Sequence, residues 1–141
     1  LTGSGVVDQP IGRHPRQRIK MAVVSDGKEA RTHYSVLQRF HGHSHIKLQL
    51  ETGRTHQIRV HMAHLGHPLV GDSLYAGRFK IQKGTSAEFI DFLRNFERQA
   101  LHAAELALVH PHTGEEVSWS SPLPADFEAL LARLGDEQSR L

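Results

Sequence analysis

Several features that define large classes of proteins are missing from this sequence of 141 residues. It contains no cysteine, which excludes disulfide bonds and thiolate metal sites and is compatible with a reducing cytoplasm. No apolar run has the length of a transmembrane helix or the layout of a signal peptide. The first residue is leucine and not an initiator methionine. We therefore expect a soluble, cytoplasmic fragment that forms one domain or part of a larger one.

The charge is divided unevenly along the chain, although the formal net charge is only +2. Residues 1–62 contain ten Lys or Arg and four Asp or Glu, which gives +6. Residues 63–141 contain seven Lys or Arg and eleven Asp or Glu, which gives −4. A basic half of this kind favours a polyanionic partner.

Four cations are concentrated around a proline that argues against a helix: Arg13, Arg16, Arg18 and Lys20. In isolation such a run is typical of a solvated loop. Beside a site that binds nucleic acid, the same run predicts contacts to phosphates, which supply affinity without reading sequence.

The densest group of polar side chains lies between Leu50 and Tyr75. Thr55 is predicted to cap a helix that ends at Gly66. Its apolar positions recur at helical spacing and predict a buried face: Ile58, Met62 and Leu65. The first turn instead carries polar residues: Arg54, His56, Gln57 and Arg59. Two guanidinium groups beside a helix N-terminus predict recognition of an anion, either carboxylate or phosphate.

The remaining patterns predict an α+β fold with a mainly antiparallel, mixed sheet and flanking helices. Strands are predicted at residues 21–24, 30–40, 45–51, 100–110 and 116–120. One further helix is expected after a capping box of Thr85 with Glu88, and another over residues 125–134, ending before Gly135. The basic segment between Tyr75 and Lys83 is predicted to be a loop. Residues 1–5 are predicted to be a disordered lead-in, and residues 6–141 to form the folded portion.

The stretch GRTHQIRVHMAHLGHPLVGDSLYAGR resembles the signature of the RluA/RluD family of pseudouridine synthases, which isomerise uridines in ribosomal and transfer RNA. Three flanking segments are similar to the second part of that family's catalytic domain: VVDQPIGRH, ARTHYSVL and RQALHAAELALVHPHTGEEVSWSSPLP. The resemblance covers nearly the whole chain, and it is greatest to the members that modify large-subunit ribosomal RNA.

This resemblance implies a cytoplasmic, monomeric RNA pseudouridine synthase that modifies large-subunit ribosomal RNA without a metal or redox cofactor. The family's catalytic aspartate lies in a His-Arg-Leu-Asp motif upstream of the region covered, and the sequence contains no Arg-Leu-Asp. Arg59 matches the family arginine that pairs with that aspartate. Arg54, His56 and Gln57 are implied to shape the pocket or contact RNA. The 141 residues alone are therefore expected to be inactive.

Alternative interpretations exist for several of these residues. Arg59 is also compatible with a structural salt bridge, for example to Glu51. Asp72 is expected to form a turn, with its side chain bonding nearby backbone N–H groups. Tyr34 and Tyr75 are placed where a base could stack, but such tyrosines are usually packing residues with a hydrogen-bonded hydroxyl.

Two other classes of function compete with the synthase. Twelve histidines include groups with spacings that can hold zinc in a metal-dependent hydrolase, although no HExxH motif is present: His41, His43 and His45, and the pair His61 and His64. A non-catalytic RNA-binding module would explain the basic half without any chemistry.

Overall fold

The computed structural model describes residues 1–76, 81–109 and 112–140. In chain order the elements are β1 (Ser4–Asp8), β2 (Ile11–Arg13), β3 (Met21–Val23), β4 (Arg31–Phe40), β5 (His43–Leu50), α1 (Gln57–His64), α2 (Ala87–Arg94), β6 (Glu105–Val109), β7 (Glu116–Ser120) and α3 (Ala125–Arg140). Every strand pair in the described ranges is antiparallel, in one sheet of three strands and two of two. The predicted α+β class is therefore confirmed.

Parts of two predictions lie outside the described ranges. Residues 77–80 belong to the predicted loop between Tyr75 and Lys83, and His110 closes the predicted strand at residues 100–110. Within the described part of that strand, pairing begins only at Glu105. No helix in the described ranges is both long and apolar enough to cross a membrane.

The three-stranded sheet has β4 at its centre, between β1 and β5. Thr32 of β4 pairs with Val7 on one side and with Leu50 on the other. Pairing with β1 begins at Ser4 and Ser35, and the backbone N–H of Val36 donates to the Gly3 carbonyl at 2.8 Å. The pairing places residues 4 and 5 in the sheet, where the sequence analysis expected a disordered lead-in.

A short hairpin of β2 and β3 carries the basic segment as its connection. Ile11 is 2% exposed and pairs with Val23. The His14 ring orders the connection, because its Nδ1 accepts the backbone N–H groups of Arg16 at 3.1 Å and Gln17 at 2.9 Å. The segment is therefore a structured hairpin loop that projects cations.

Helix α1 starts differently from the prediction. Its N-cap is His56, in a left-handed backbone conformation with φ of 56°, and no side chain caps the helix. The predicted Thr55 cap is wrong. At the other end Gly66, with φ of 82°, terminates the helix as predicted. Backbone bonds from Gly66 to Ala63 and from His67 to Met62 close a Schellman motif.

The buried face of α1 is more polar than the predicted apolar stripe. Four residues of α1 are buried: Gln57, Val60, His61 and Met62. Leu65, which was assigned to the core, is 36% exposed. Gln57 and His61 both hydrogen-bond to Thr32 in the interior, so these two polar side chains face inward. The face of α1 that is buried therefore differs from the predicted one.

Helices α2 and α3 form a second core of buried apolar side chains: Phe89, Leu93, Leu130 and Leu134. Ser86, one residue after the predicted Thr85, caps α2 by accepting the Phe89 N–H at 3.3 Å. Helix α3 continues through Gly135 to Arg140. Its last turns are held because the buried Glu137 carboxylate bonds to Ser86.

Candidate active-site surface

Arg59 on α1 and Asp72 form a largely buried ion pair. The guanidinium donates from Nε to Asp72 Oδ2 at 2.8 Å and from one terminal nitrogen to Oδ1 at 2.9 Å. The Asp72 side chain is fully buried and that of Arg59 is 14% exposed. No other hydrogen bond of the Arg59 side chain is found within the described ranges. Arg59 therefore does form a structural salt bridge, the alternative role considered from the sequence, but with Asp72 and not with the example partner Glu51, which bonds to Arg31 and His33.

Asp72 is also the turn former that the sequence analysis expected. Its Oδ1 accepts the backbone N–H groups of Leu74 and Tyr75, each at 3.2 Å. Burial alone would raise the pKa of Asp72, but the hydrogen bonds from Arg59 and from the Tyr75 N–H outweigh it and lower that pKa below its usual value. The carboxylate is thus ionised and fixes one edge of the Arg59 guanidinium.

A cavity of about 420 Å³ opens beside this ion pair. Its lining includes Arg59, Asp72, Ser73, Glu97 and Arg98. Glycine at position 71, with φ of 78°, allows the backbone there to approach the backbone of Arg98 closely, because a Cβ would lie 1.9 Å from the Arg98 carbonyl oxygen. Both arginines thus border one polar depression, large enough for a group of nucleotide-base size.

Tyr75 links helix α1 to the β2–β3 hairpin. Its ring lies 4.8 Å from the Arg59 guanidinium carbon and 5.8 Å from the Lys20 amine. Its hydroxyl accepts the Met21 backbone N–H at 2.9 Å and lies 2.7 Å from Nδ1 of His56. The hydroxyl is therefore hydrogen-bonded, as expected for a tyrosine that packs and does not stack on a base.

Gln57 is an internal structural residue. It is 3% exposed, and its carbonyl oxygen accepts from the Thr52 hydroxyl and the Arg54 backbone N–H. Its amide donates to the Arg31 carbonyl and to the Thr32 hydroxyl. All four hydrogen-bonding positions of the side chain are used inside the protein. Of the two roles expected from the sequence, shaping the pocket or contacting RNA, this geometry leaves only the first.

The basic residues lie around this centre at different depths. Lys20 is partly buried beside Tyr75, and three cations of the hairpin are exposed: Arg13, Arg16 and Arg18. Arg13 donates to the Arg18 carbonyl at 2.7 Å and thereby braces the loop. Arg54 donates from Nε to the Glu29 carbonyl at 2.7 Å. The hairpin therefore extends the positive surface from the Arg59 centre toward solvent.

Comparison with known proteins gives a consistent answer. The sequence profile described as RNA pseudouridylate synthase matches residues 3–64. A protein of Pseudomonas aeruginosa named ribosomal large subunit pseudouridine synthase D is 56% identical over 138 residues, which is 98% of this chain and 43% of that protein. A protein of the same name from Escherichia coli K12 is 54% identical over 131 residues, covering 93% of this chain and 40% of its own length.

Two solved human structures support the same relationship. Human RNA Pseudouridylate Synthase Domain Containing 1 superimposes with a TM-score of 0.66 at 29% identity, covering 91% of this chain and 52% of the human chain. Human RNA Pseudouridylate Synthase Domain Containing 4 gives 0.65 at 28%, with 94% and 57% covered. The chain belongs to the RNA pseudouridylate synthase family. It spans about two fifths of the length of the curated relatives that it matches.

Three of the histidines considered as possible zinc ligands contact other protein groups in the structure. His61 is fully buried, with Nδ1 2.8 Å from the Thr32 hydroxyl and Nε2 2.9 Å from the Gln9 carbonyl. Burial lowers its pKa. His43 and His45 pack against aromatic rings of α2 and α3. No group of three or more potential metal ligands occurs in the ranges the structure describes.

Sequence reasoning missed two residue pairings in the candidate site. The pairing of Arg59 with Asp72 joins residues 13 apart in sequence. The bond from Met21 to Tyr75 spans 54 residues. The one available signal was that Asp72 is the sole aspartate in the signature stretch.

Proposed function

We propose that this chain is the part of an RNA pseudouridine synthase that holds the arginine side of the active site and acts on large-subunit ribosomal RNA. The observation that carries the proposal is the Arg59–Asp72 pair, which borders a polar cavity in a chain 56% identical to a protein named for that activity. Cytoplasmic location, where a ribosomal RNA substrate would be met, belongs to the same proposal, as does action as a monomer.

Isomerisation of uridine breaks the bond between C1′ and N1 and forms one between C1′ and C5, while C5 loses its proton and N1 gains one. The reaction requires a carboxylate of fixed geometry, acting as nucleophile or electrostatic stabiliser, and a base removed from its stack. None of the six aspartates of this chain stands in the family's His-Arg-Leu-Asp motif. We therefore assign the reacting carboxylate to the part of the protein that this chain does not include.

Arg59 has the geometry to hold such a carboxylate. Asp72 uses Nε and one hydrogen of a terminal nitrogen, so three of the five guanidinium N–H groups remain. Two of these, one on each terminal nitrogen, lie on the edge between the terminal nitrogens, which suits a second, bidentate carboxylate. Arg59 would then keep the reacting carboxylate ionised and correctly aimed, since a nearby positive charge lowers the pKa of an acid.

RNA contacts in this proposal come from the basic hairpin and from polar residues at the start of α1. The exposed arginines of the hairpin loop would bind phosphates and confer salt-dependent affinity: Arg13, Arg16 and Arg18. Lys20 and His56 contact Tyr75, the ring that also packs against Arg59. Together with Arg54 they would contact the target nucleotide or its neighbours. The phosphate contacts would position the RNA without selecting its sequence.

The test is pseudouridine formation on unmodified large-subunit ribosomal RNA by the full-length protein and, separately, by the 141 residues alone. We expect the full-length protein to modify uridines and the 141 residues to modify none. RNA binding without modification by the full-length protein would favour the alternative, a non-catalytic RNA-binding module. Pseudouridine formation by the 141 residues would overturn the assignment of the carboxylate to the rest of the protein.

A further inference from the structure

His56 has an unusual backbone conformation at the centre of the candidate site. It is the only non-glycine residue with positive φ in the described ranges, at φ of 56° and ψ of 24°. Histidine enters this region more readily than most residues, but the conformation is still uncommon and is maintained only where the surroundings enforce it. Strain of this kind concentrates at functional sites, so the side chain of His56 merits a specific role.

The hydrogen-bond network fixes the tautomer of the His56 ring. The Met21 backbone N–H can only donate, so Tyr75 Oη accepts it at 2.9 Å. The hydroxyl proton then points to Nδ1 of His56 at 2.7 Å, and no other acceptor for it is found in the described ranges. Nδ1 is therefore an acceptor, and the proton of the neutral ring resides on Nε2.

Tyr75 is itself held rigidly, so the orientation of His56 is preset. Its ring contacts the cations of Arg59 at 4.8 Å and Lys20 at 5.8 Å, and it meets the His56 ring edge-on at 5.5 Å between centroids. Asp72, which anchors Arg59, also accepts the Tyr75 backbone N–H. His56, Tyr75, Arg59 and Asp72 therefore form one connected unit.

We propose that His56 binds the target nucleotide through an Nε2–H group that Tyr75 keeps in place, with the N–H donating to an acceptor oxygen of that nucleotide. Tyr75 is then a positioning residue that acts through His56. This inference rests on the proposed function. Within the described ranges no protein partner occupies Nε2, which leaves it for a ligand.

An uncharged donor is suited to this place. Burial and the positive charge of Arg59 lower the pKa of His56, while Asp72 opposes them, so the ring is neutral near pH 7. The cations around it already supply attraction for phosphate. A neutral N–H adds direction without further charge, as recognition of a base carbonyl or a ribose oxygen requires.

The experiment compares three variants of the full-length protein with the wild type. His56→Asn tolerates the left-handed backbone but its amide cannot reach the position of Nε2. His56→Gln places an amide N–H near that position. Tyr75→Phe keeps the ring and removes only the hydroxyl. Pseudouridine formation gives kcat and KM, thermal unfolding checks folding, and ¹⁵N NMR of labelled histidine rings reports the tautomer.

We expect the wild-type His56 ring to show the Nε2–H tautomer, and Tyr75→Phe to lose that signature. His56→Asn should lower kcat/KM about two- to tenfold, the value of one neutral hydrogen bond. His56→Gln should recover most of that loss. Substrates carrying 2-thiouridine or 4-thiouridine at the target identify the acceptor: the effect of His56→Asn disappears if the contact is to that base oxygen and persists if it is to ribose or phosphate.

Three outcomes would overturn the inference. They are an Nδ1–H tautomer in the wild type, full activity of His56→Asn, and an equal loss in His56→Gln and His56→Asn. The last would mean that an N–H group at the position of Nε2 does not account for the loss of activity. If the wild-type protein itself forms no pseudouridine, the proposed function fails instead, which is a separate and recognisable result.

Discussion

The carboxylate of Glu137, near the end of α3, accepts both the backbone N–H and the hydroxyl of Ser86 at the start of α2. The distances are 2.7 and 2.8 Å, and Arg140 donates to the same carboxylate at 2.9 Å. One acidic side chain therefore joins the two helices that flank the sheet. It also explains why α3 continues beyond Gly135.

This contact predicts a specific dependence of stability on pH. The hydrogen bonds from Arg140 and Ser86 lower the pKa of Glu137 from 4.5 to about 2. Because the folded-state pKa is depressed, the stabilisation is complete above the unfolded pKa and is lost as the pH falls toward the folded pKa. Glu137→Gln should therefore lower the free energy of unfolding at pH 7, and its difference from wild type should shrink between pH 4.5 and 2.

Chemical denaturation of the full-length protein over a pH series measures this difference. Glu128→Gln, on an exposed position of the same helix, is the matched control and should behave as wild type. A difference between Glu137→Gln and wild type that does not change down to pH 2 would contradict the proposed ionisation.

The second prediction concerns the buried ion pair. Asp72→Ala leaves the Arg59 guanidinium, 14% exposed, without its partner, so we expect a loss of about 3–5 kcal/mol in the free energy of unfolding. Urea denaturation measures it. Asp136→Ala, at an exposed position on α3, should change stability by less than about 0.5 kcal/mol. Equal stability of the two variants would show that the pair is unimportant.

The third prediction separates a steric clash from backbone strain. Gly66 and Gly71 both have positive φ, but a Cβ at Gly66 would meet no atom within 4 Å, whereas one at Gly71 would lie 1.9 Å from the Arg98 carbonyl oxygen. Gly66→Ala should cost about 1–2 kcal/mol from strain alone. Gly71→Ala should cost about 1–3 kcal/mol more, because backbone must move. Similar melting temperatures for both variants would argue against this close approach.

The fourth prediction distinguishes a structural role of Gln57 from RNA binding. Gln57→Leu removes four internal hydrogen bonds. The Thr32 hydroxyl keeps only its bond to His61, and the Arg54 N–H loses the Gln57 oxygen that accepts it, so stability should fall by about 1–3 kcal/mol or more. RNA affinity of the protein that remains folded should be unchanged. Normal stability with weakened RNA binding would restore the original expectation for Gln57.

The fifth prediction tests the hairpin as a phosphate-binding element. Arg16→Ala and Arg18→Ala remove exposed cations from the loop, and each should weaken RNA binding with little dependence on sequence. The slope of log affinity against log salt should fall by about 0.7–0.9 per contact removed. Lys47→Ala, an exposed cation on β5, is the control. Equal slopes of log affinity against log salt for Arg16→Ala and Lys47→Ala would show that the hairpin does not bind RNA phosphates.

Local patterns were sufficient to predict β4, β5 and the end of α1 at Gly66. Strand alternation and a glycine stop are properties of neighbouring residues, so they can be recognised without knowledge of the fold. Residues 4–8 became a strand only because β4 pairs with them. Local sequence did not contain that information.

In the candidate site, too, the local sequence identified individual residues but not the contacts between them. Arg59 and His56 were recognised from the signature. Their partners, Asp72 and Tyr75, belong to the same stretch, but the pairings join residues 13 and 19 positions apart and depend on how the chain folds. The predicted buried face of α1 was wrong for a related reason. Gln57 and His61 are polar, and their burial is favourable because of hydrogen bonds to distant groups such as the Thr32 hydroxyl, more than twenty residues away. Long-range hydrogen bonds therefore decide which residues of α1 are buried and which side chains pair, and the local sequence pattern does not contain that information.

The measurement that tests the account most directly is pseudouridine formation by the full-length protein with Arg59→Ala and with Arg98→Ala. Both arginines border the same cavity, and each pairs with an aspartate through two hydrogen bonds, but Arg98 does so on the exposed surface with Asp126. Arg59→Lys keeps the positive charge but lacks the bidentate guanidinium, so it tests whether that geometry is needed for activity. Thermal unfolding of each variant shows whether a loss of activity comes from misfolding.

We expect Arg59→Ala to lower kcat by at least about a hundredfold, the scale of losing a charge-stabilising donor, while Arg98→Ala stays within a few fold of wild type. Arg59→Lys should remain strongly impaired, because a single ammonium cannot bridge Asp72 and a second carboxylate in the same way. A folded Arg59→Ala variant with near wild-type kcat would contradict the central role assigned to Arg59.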